Sequence, residues 1–141
     1  MLYWDTSALV KQYIIEQGTD AIQQWQAQSA ATSMIAFTEV HSAVMRRRRD
    51  GTLSESIARS IFRAFRQDWS SYLRVPVHEG VISRGAGLIE RYKLRTLDAL
   101  HLASALGLRE EIGEAIPLIA ADGDLLKAAS AEGFVVHSIG T

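Results

Sequence analysis

Short apolar runs alternate with segments of helical spacing along this chain, and this alternation limits the folds open to it more than any other feature. The apolar runs predict five strands, at residues 2–4, 32–35, 73–77, 117–121 and 134–137. Between them, apolar side chains spaced as on one helix face predict helices at residues 7–16, 19–28, 36–49, 53–72, 78–92 and 96–109, and from Asp122 to Gly133. Alternating strands and helices are typical of an α/β domain with a mainly parallel central sheet.

The chain is predicted to form one domain spanning residues 1–141, because 141 residues is close to the usual length of a single domain. Its two prolines, Pro76 and Pro117, mark no linker. No internal repeat or low-complexity segment divides the sequence.

The composition excludes several classes of protein and of site. Lys and Arg number 15 and Asp and Glu 16, so the net charge of −1 excludes a globally basic nucleic-acid-binding domain and leaves only a local basic patch for such contacts. The absence of cysteine excludes disulfides, a thiol nucleophile and thiolate-bound metals. No run approaches the roughly 18 apolar residues of a membrane span, and the first residues lack a signal-peptide pattern. We therefore expect a cytoplasmic protein with no membrane contact.

Two aspartates stand where predicted strands end. Asp5 follows the first strand and Asp122 the fourth, each directly before a predicted helix. In open parallel sheets, ligands bind beyond the carboxyl ends of the strands, where the strand order reverses, so both positions suit a functional site. Aspartate is also a preferred N-cap residue, and helix capping is the alternative at both positions. Asp124 lies in the first turn of the last helix, where a negative charge suits the helix dipole.

Two further acids border apolar helix surfaces. Asp98 is near the start of the helix at 96–109 and has apolar neighbours on nearly every side. Burying an unpaired carboxylate is costly, so this position calls for a cation or strong hydrogen-bond donors. Glu39 borders the apolar stripe of the helix at 36–49, with an ordinary surface glutamate as the alternative.

Together, these four acids predict a site for a hard divalent cation. If the side chains of Asp5, Glu39, Asp98 and Asp122 converge, their repulsion raises some of their pKa values and destabilises the fold. A bound cation offsets that repulsion, and ligands that offer only oxygen favour Mg²⁺ or Mn²⁺ over zinc.

Other familiar active-site motifs are missing from the sequence. There is no Gly-x-Gly-x-x-Gly, P-loop, Gly-x-Ser-x-Gly or His-Glu-x-x-His pattern. The histidines have no metal-ligand spacing and are predicted to be interior or surface imidazoles: His41, His78, His101 and His137.

Four segments, taken in order, resemble the PIN domain family and, within it, the VapC-type ribonuclease toxins. They read LYWDTSALVKQY at residues 2–13, AFTEVHSAVMRR at 36–47, LRTLDALHLASAL at 94–106 and LIAADGDLLKAASAEGF at 118–134. The resemblance implies a three-layer α/β/α sandwich around a five-stranded parallel sheet of order 3-2-1-4-5, in which strands one and four are neighbours.

The family's acidic metal site corresponds to Asp5, Glu39, Asp98 and Asp122, with Asp124 as an alternate fourth acid. The family often has a hydroxyl residue where this chain has Ala120, so the resemblance leaves the exact orientation of Asp122 open.

The same resemblance implies an activity and partners. The activity is hydrolysis of RNA phosphodiester bonds, dependent on Mg²⁺ or Mn²⁺, leaving 5′-phosphate and 3′-hydroxyl ends. The implied partners are the RNA substrate, a second copy of the chain in a homodimer, and a cognate antitoxin, for which residues 19–28 and 54–72 are candidate contact helices. Two alternatives are a catalytically silent PIN-like binding module and an aspartate-phosphorylated domain of the receiver or phosphatase kind.

Positive charge is concentrated in two places that suit phosphate contact. Four arginines occupy residues 46–49, and helical geometry spreads them so widely that about two face the acids. The alternative is a solvated helix end favoured by the dipole. The second group, Arg91, Lys93 and Arg95, precedes the helix that carries Asp98.

Overall fold

Five short strands form one parallel sheet in the computed structural model, which describes residues 1–16 and 18–139. Residues 17, 140 and 141 of the predicted domain lie outside the described residues. The strands are β1 (Leu2–Trp4), β2 (Ala30–Ser33), β3 (Leu73–Val75), β4 (Leu118–Ala120) and β5 (Val136–Ser138). Their order is β3-β2-β1-β4-β5, with every neighbouring pair parallel. The predicted order is confirmed, and it sets the carboxyl ends of β1 and β4 side by side.

Helices connect the strands and cover both faces of the sheet. They are α1 (Thr6–Val10), α2 (Thr19–Ile22), α3 (Ala36–Arg49), α4 (Glu55–Trp69), α5 (Glu79–Arg91), α6 (Thr96–Ile112) and α7 (Gly123–Ala131). A 3₁₀ turn, Gln23–Trp25, extends α2. Within the described residues, no helix is long and apolar enough to cross a bilayer.

Alternate residues of the central strands fill two separate cores, which explains their unbroken apolar sequence. Leu2 and Trp4 of β1 pack with residues of α1, α3 and α4, whereas Tyr3 packs with residues of α5, α6 and α7. In β4, Ile119 belongs to the first core, and Leu118 and Ala120 belong to the second. The molecule therefore has three layers, as predicted.

Strand β2 lies two residues earlier than the predicted 32–35. Met34 and Ile35 form the turn into α3, and Met34 is 43% exposed. The strand instead uses Ala30 and Ala31, small residues with a weak intrinsic preference for strands. Pairing of Ala31 between Tyr3 and Leu73 determines the observed register.

The first helix is shorter than predicted, ending at Val10 rather than at residue 16. The chain then turns, and Ile14 returns to the core with 3% exposure. The last strand begins two residues later than predicted, because Phe134 packs into the core beside the guanidinium of Arg109 instead of joining the sheet.

Candidate active site

Asp5 lies at the carboxyl end of β1 and also caps α1. Its Oδ1 accepts the backbone N–H of Ala8 at 3.0 Å, and the hydroxyl of Ser7 lies 2.8 Å from both of its carboxylate oxygens. The residue is 2% exposed. Burial raises the pKa of Asp5, and the opposing influence of His101 and Ser7 only partly offsets this. Asp5 thus caps α1, as the capping alternative predicted, and its carboxylate also lies at the carboxyl end of β1, where a ligand site is expected.

Asp122 occupies the corresponding position after β4. Its Oδ1 accepts the backbone N–H of Leu125 at 3.0 Å and so caps α7. The preceding residue, Ala121, donates its backbone N–H to the hydroxyl oxygen of Ser7 at 3.1 Å. Ser7 thus joins the two loops that carry Asp5 and Asp122.

Glu39 lies in the first turn of α3, where Thr6 and His101 fix its carboxylate. The hydroxyl of Thr6 donates to Oε1 at 2.6 Å, and Nε2 of His101 lies 2.8 Å from the same oxygen. Partial burial works to raise the pKa of Glu39, but the hydrogen bonds from His101 and Thr6 hold it below its usual value.

His101 connects this carboxylate to the interior of the protein. Its Nδ1 lies 2.9 Å from the hydroxyl of Tyr3, and His101 and Tyr3 are 1% and 0% exposed. His101 is an interior imidazole, one of the two alternatives that the sequence left open, but its contact with Glu39 was not predicted. The available signal was the spacing of His101 three residues after Asp98, which puts both on one side of α6.

Asp98 lies half-buried in the first turn of α6, facing the other acids. Burial, followed by the negative charges of Asp122 and Asp5, raises the pKa of Asp98 to about 6. Among the described residues, no hydrogen bond to its carboxylate is found, unlike those to Asp5, Glu39 and Asp122. Asp98 is therefore the acid of the four whose side chain is freest to turn.

One cleft brings the four acids together at the sheet edge. It has a volume of about 960 Å³, and its walls include Asp5, Glu39, Asp98 and Asp122. A smaller recess of about 220 Å³ lies beside it and is lined by Asp98, Asp122 and Asp124 with neighbouring basic residues. Asp124 therefore borders the recess rather than the main cleft.

Positive side chains form another part of the cleft wall. Arg46, Arg47 and Arg95 line it together with Lys11. Glu16, which also lines the cleft, accepts a hydrogen bond from Lys11 at 3.0 Å and one from Arg47 at 3.2 Å, so both cations are paired with one acid of the cleft wall. The prediction that about two of the four consecutive arginines face the acids agrees with the positions of Arg46 and Arg47.

The second basic group, Arg91, Lys93 and Arg95, lies only partly at the cleft and the recess. Arg95 lines both the cleft and the recess, and Lys93 lines the recess. Arg91 instead donates to Glu132 at 2.8 Å and lies over the ring of Tyr92. Arg91 is therefore engaged elsewhere on the surface.

The acids fit a hard divalent cation by their chemistry, although their side chains are not arranged as a finished metal site. Within residues 1–16 and 18–139, no three His, Asp or Glu side chains are grouped so that they could hold a metal ion as they stand. Asp5, Glu39 and Asp122 each accept hydrogen bonds from the protein. All four donors are carboxylates, the ligand type that Mg²⁺ and Mn²⁺ prefer, and side-chain rearrangement would be needed to bring three of them onto one ion.

The sequence matches the PIN domain family over residues 2–131. It is 33% identical over 110 residues to ribonuclease VapC49 of Mycobacterium tuberculosis (strain ATCC 25618 / H37Rv), which covers 77% of this chain and 76% of the relative. It is 32% identical over 146 residues to ribonuclease VapC47 of Mycobacterium tuberculosis (strain CDC 1551 / Oshkosh), covering 99% of this chain and 98% of the relative.

Solved structures share the fold over almost the whole chain. A toxin–antitoxin complex from Klebsiella pneumoniae includes a chain with a TM-score of 0.67 and 18% identity, covering 98% of this chain and 97% of that one. VapBC-5 of Mycobacterium tuberculosis, a member of the VapBC family of toxin–antitoxin systems, gives a TM-score of 0.59 at 19% identity, covering 99% and 98%.

Proposed function

This chain belongs to the PIN domain family, and we propose that it is an endoribonuclease that hydrolyses RNA phosphodiester bonds with Mg²⁺ or Mn²⁺. The observation that carries the proposal is the meeting of Asp5, Glu39, Asp98 and Asp122 in one cleft, although they are distant in the sequence. The two relatives at 32% and 33% identity are both named ribonucleases, which supports the same activity here.

Charge balance gives this cleft a physical reason to take up a divalent cation. The pKa of Asp98 is raised to about 6 by burial and by the charges of Asp122 and Asp5, so the acids repel one another. We assign the ligand role to all four carboxylates. When bound, such a cation supplies an activated water nucleophile and offsets charge on the leaving oxygen.

The protein's own residues divide the work of the site. Asp5 and Glu39 are held by short hydrogen bonds and form its fixed part, whereas Asp98 supplies the adjustable part. Arg46 and Arg95 on the cleft wall would bind backbone phosphates of a single RNA strand and position it against the acids, whereas Arg47 is paired with Glu16. This local positive charge is needed because the net charge of the chain is −1.

We further propose that the domain of residues 1–141 acts in the cytoplasm as the toxin of a toxin–antitoxin pair. The structural neighbours described as toxin–antitoxin proteins support a cognate antitoxin as partner. Helix α4 lies within residues 54–72, one of the two segments that the family resemblance gives as candidate contacts for the antitoxin. A homodimer is proposed as the assembled state, as the family resemblance implies.

A catalytically silent binding module is the second candidate, because no three acidic or histidine side chains among the described residues are arranged to hold a metal ion. The test is incubation of the full chain with mixed RNA, with Mn²⁺ or with EDTA. We expect cleavage only with the metal, and loss of cleavage in Asp98→Asn.

Glu111→Gln is the matched control, because this exposed acid lies on the same helix far from the cleft. It should cleave as the wild type does. RNA that stays intact with folded wild-type protein and Mn²⁺, while still binding the protein, would favour the silent module.

A further inference from the structure

We propose that His101 and Tyr3 are positioning residues that fix the carboxylate of Glu39 for cation binding; this inference rests on the metal-dependent function proposed above. His101 lines the inner wall of the cleft and Tyr3 lies behind it, and together they form a continuous series of polar contacts from the core to Glu39. They act through Glu39 rather than on the substrate.

The donor and acceptor properties of each group determine the direction of the hydrogen bonds that link Tyr3, His101 and Glu39. A carboxylate oxygen only accepts, so Nε2 of His101 carries the hydrogen that is shared with Oε1 of Glu39 over 2.8 Å. In the neutral ring Nδ1 then has a free lone pair, which accepts the O–H of Tyr3 at 2.9 Å. Glu39, which can only accept, thus selects the imidazole tautomer that donates to it, and the Tyr3 hydroxyl pairs with the remaining nitrogen and fixes the orientation of the ring.

Two donors occupy one oxygen of Glu39. The hydroxyl of Thr6 reaches Oε1 at 2.6 Å, and its own oxygen lies 3.0 Å from Nε2 of His101. These two donors match the two lone pairs of Oε1. Among the described residues, no hydrogen bond to Oε2 is found, so Oε2 is the oxygen left to serve as a ligand.

Burial holds the side chains of Tyr3 and His101 rigidly in place. It also costs folding free energy, because both side chains carry polar groups, and filling the core does not require polar groups there. Tyr3 and His101 are 0% and 1% exposed and belong to elements at the centre of the fold, β1 and α6. Burying polar groups costs free energy unless each is paired, and apolar side chains of similar size would fill the space without that cost. This series of polar contacts ends on Glu39 in the cleft, so we expect it to affect the binding of a cation there.

The test is the affinity of the metal-free full chain for Mn²⁺, measured by titration calorimetry and by the electron paramagnetic resonance of free Mn²⁺. We expect Tyr3→Phe and His101→Leu to weaken binding by roughly tenfold or more, as is usual for residues that orient a metal ligand. His101→Gln keeps a donor for Glu39 and an acceptor for Tyr3, so it should recover most of the affinity.

Tyr13→Phe is the matched control for Tyr3→Phe. It removes a hydroxyl that is hydrogen-bonded to Asp68 at 2.7 Å, on a side chain that does not line the cleft. We expect a loss of thermal stability from both tyrosine variants, but a change in Mn²⁺ affinity from Tyr3→Phe alone.

The possible outcomes separate the two proposals. Wild-type protein that binds Mn²⁺, with Tyr3→Phe and His101→Leu folded and binding equally tightly, would overturn the positioning role and leave the nuclease proposal standing. Folded wild type that binds no Mn²⁺ at millimolar concentration would overturn both. If His101→Leu does not fold, Tyr3→Phe decides, because it keeps the ring and its packing.

Discussion

The hydroxyl of Ser7 lies 2.8 Å from both carboxylate oxygens of Asp5, so one short side chain fixes the orientation of this acid. The same hydroxyl oxygen accepts the backbone N–H of Ala121 at 3.1 Å. Ala121 directly precedes Asp122, and Ser7 therefore also sets the distance between the loops that follow β1 and β4.

Replacing Ser7 with alanine should reduce RNA cleavage more than it reduces stability. The variant loses the donor to Asp5 and leaves the N–H of Ala121 unpaired, which costs about 1–2 kcal/mol of unfolding free energy. Because the carboxylate of Asp5 is then held only by the backbone N–H of Ala8, we expect a loss of roughly tenfold or more in kcat/KM. Urea unfolding and single-turnover RNA cleavage measure the two effects.

Ser71→Ala is the control for that experiment, since Ser71 is exposed and donates to the carbonyl of Asp68 at 2.7 Å within its own turn. It should change neither quantity appreciably. Equal cleavage by Ser7→Ala and wild type would show that the orientation of Asp5 does not depend on this hydroxyl.

Neutralising Asp98 should stabilise the metal-free protein at neutral pH. The pKa of Asp98 is about 6 in the folded protein against 3.8 for the free group, so the folded state holds this proton more tightly than the unfolded state. The stability of the wild type therefore falls as the pH rises from about 4 to about 6, and Asp98→Asn avoids that loss.

Because Asp98 is half-exposed and water screens its repulsion, we expect Asp98→Asn to raise Tm by roughly 2–5 °C at pH 7.5. The difference should nearly vanish at pH 3.5, where the carboxyl is protonated in the folded state and mostly protonated in the unfolded state. Thermal melts in EDTA across this pH range measure it. A variant less stable than wild type at pH 7.5 would mean that the carboxylate of Asp98 is a structural group.

The alternation of strands and helices was sufficient to predict a parallel α/β domain, and strands β1 and β4 were the clearest part of that pattern; the three layers and the strand order came from the resemblance to the family. Both strands are apolar on every residue, and each is buried on two faces. The position of β2 could not be predicted, because its alanines have little strand preference of their own. Its register comes from neighbours that are distant in the sequence, such as Leu73.

The site was predictable where local sequence determines it and not where tertiary contacts do. Asp5 and Asp122 follow strands and precede helices, a pattern that is visible in the sequence. The contact between His101 and Glu39 joins two helices on opposite faces of the sheet, and Tyr3 reaches His101 from a third element. Only the packed fold determines such contacts.

The basic residues of the cleft wall should contribute to RNA affinity through charge. We expect Arg46→Ala and Arg95→Ala each to weaken binding of a short single-stranded RNA and to lower the slope of log affinity against log salt by roughly 0.7, the value for one lost phosphate contact. Fluorescence anisotropy in the Asp98→Asn background measures binding without cleavage.

Arg91→Ala is the matched control, because Arg91 is paired with Glu132 and lies over Tyr92. Its salt slope should equal that of the parent protein. An unchanged slope in Arg46→Ala and Arg95→Ala would place the RNA backbone on another surface.

Two glycines with similar backbone angles should differ sharply in their tolerance of alanine. Gly18 and Gly51 have φ of +95° and +83°, so a side chain at either position is strained by about 1–2 kcal/mol. A Cβ on Gly18 would also lie 2.3 Å from the carbonyl oxygen of Ile139 and 3.1 Å from Cδ of Lys11, whereas a Cβ on Gly51 meets nothing within 4 Å. Gly18→Ala must therefore displace backbone beside the cleft, and we expect it to lose at least about 2 kcal/mol more of unfolding free energy than Gly51→Ala in urea unfolding.

Because Lys11 lines the cleft, Gly18→Ala should also weaken RNA binding, while Gly51→Ala should not. Equal losses of stability in the two variants would contradict the close approach of residues 18 and 139.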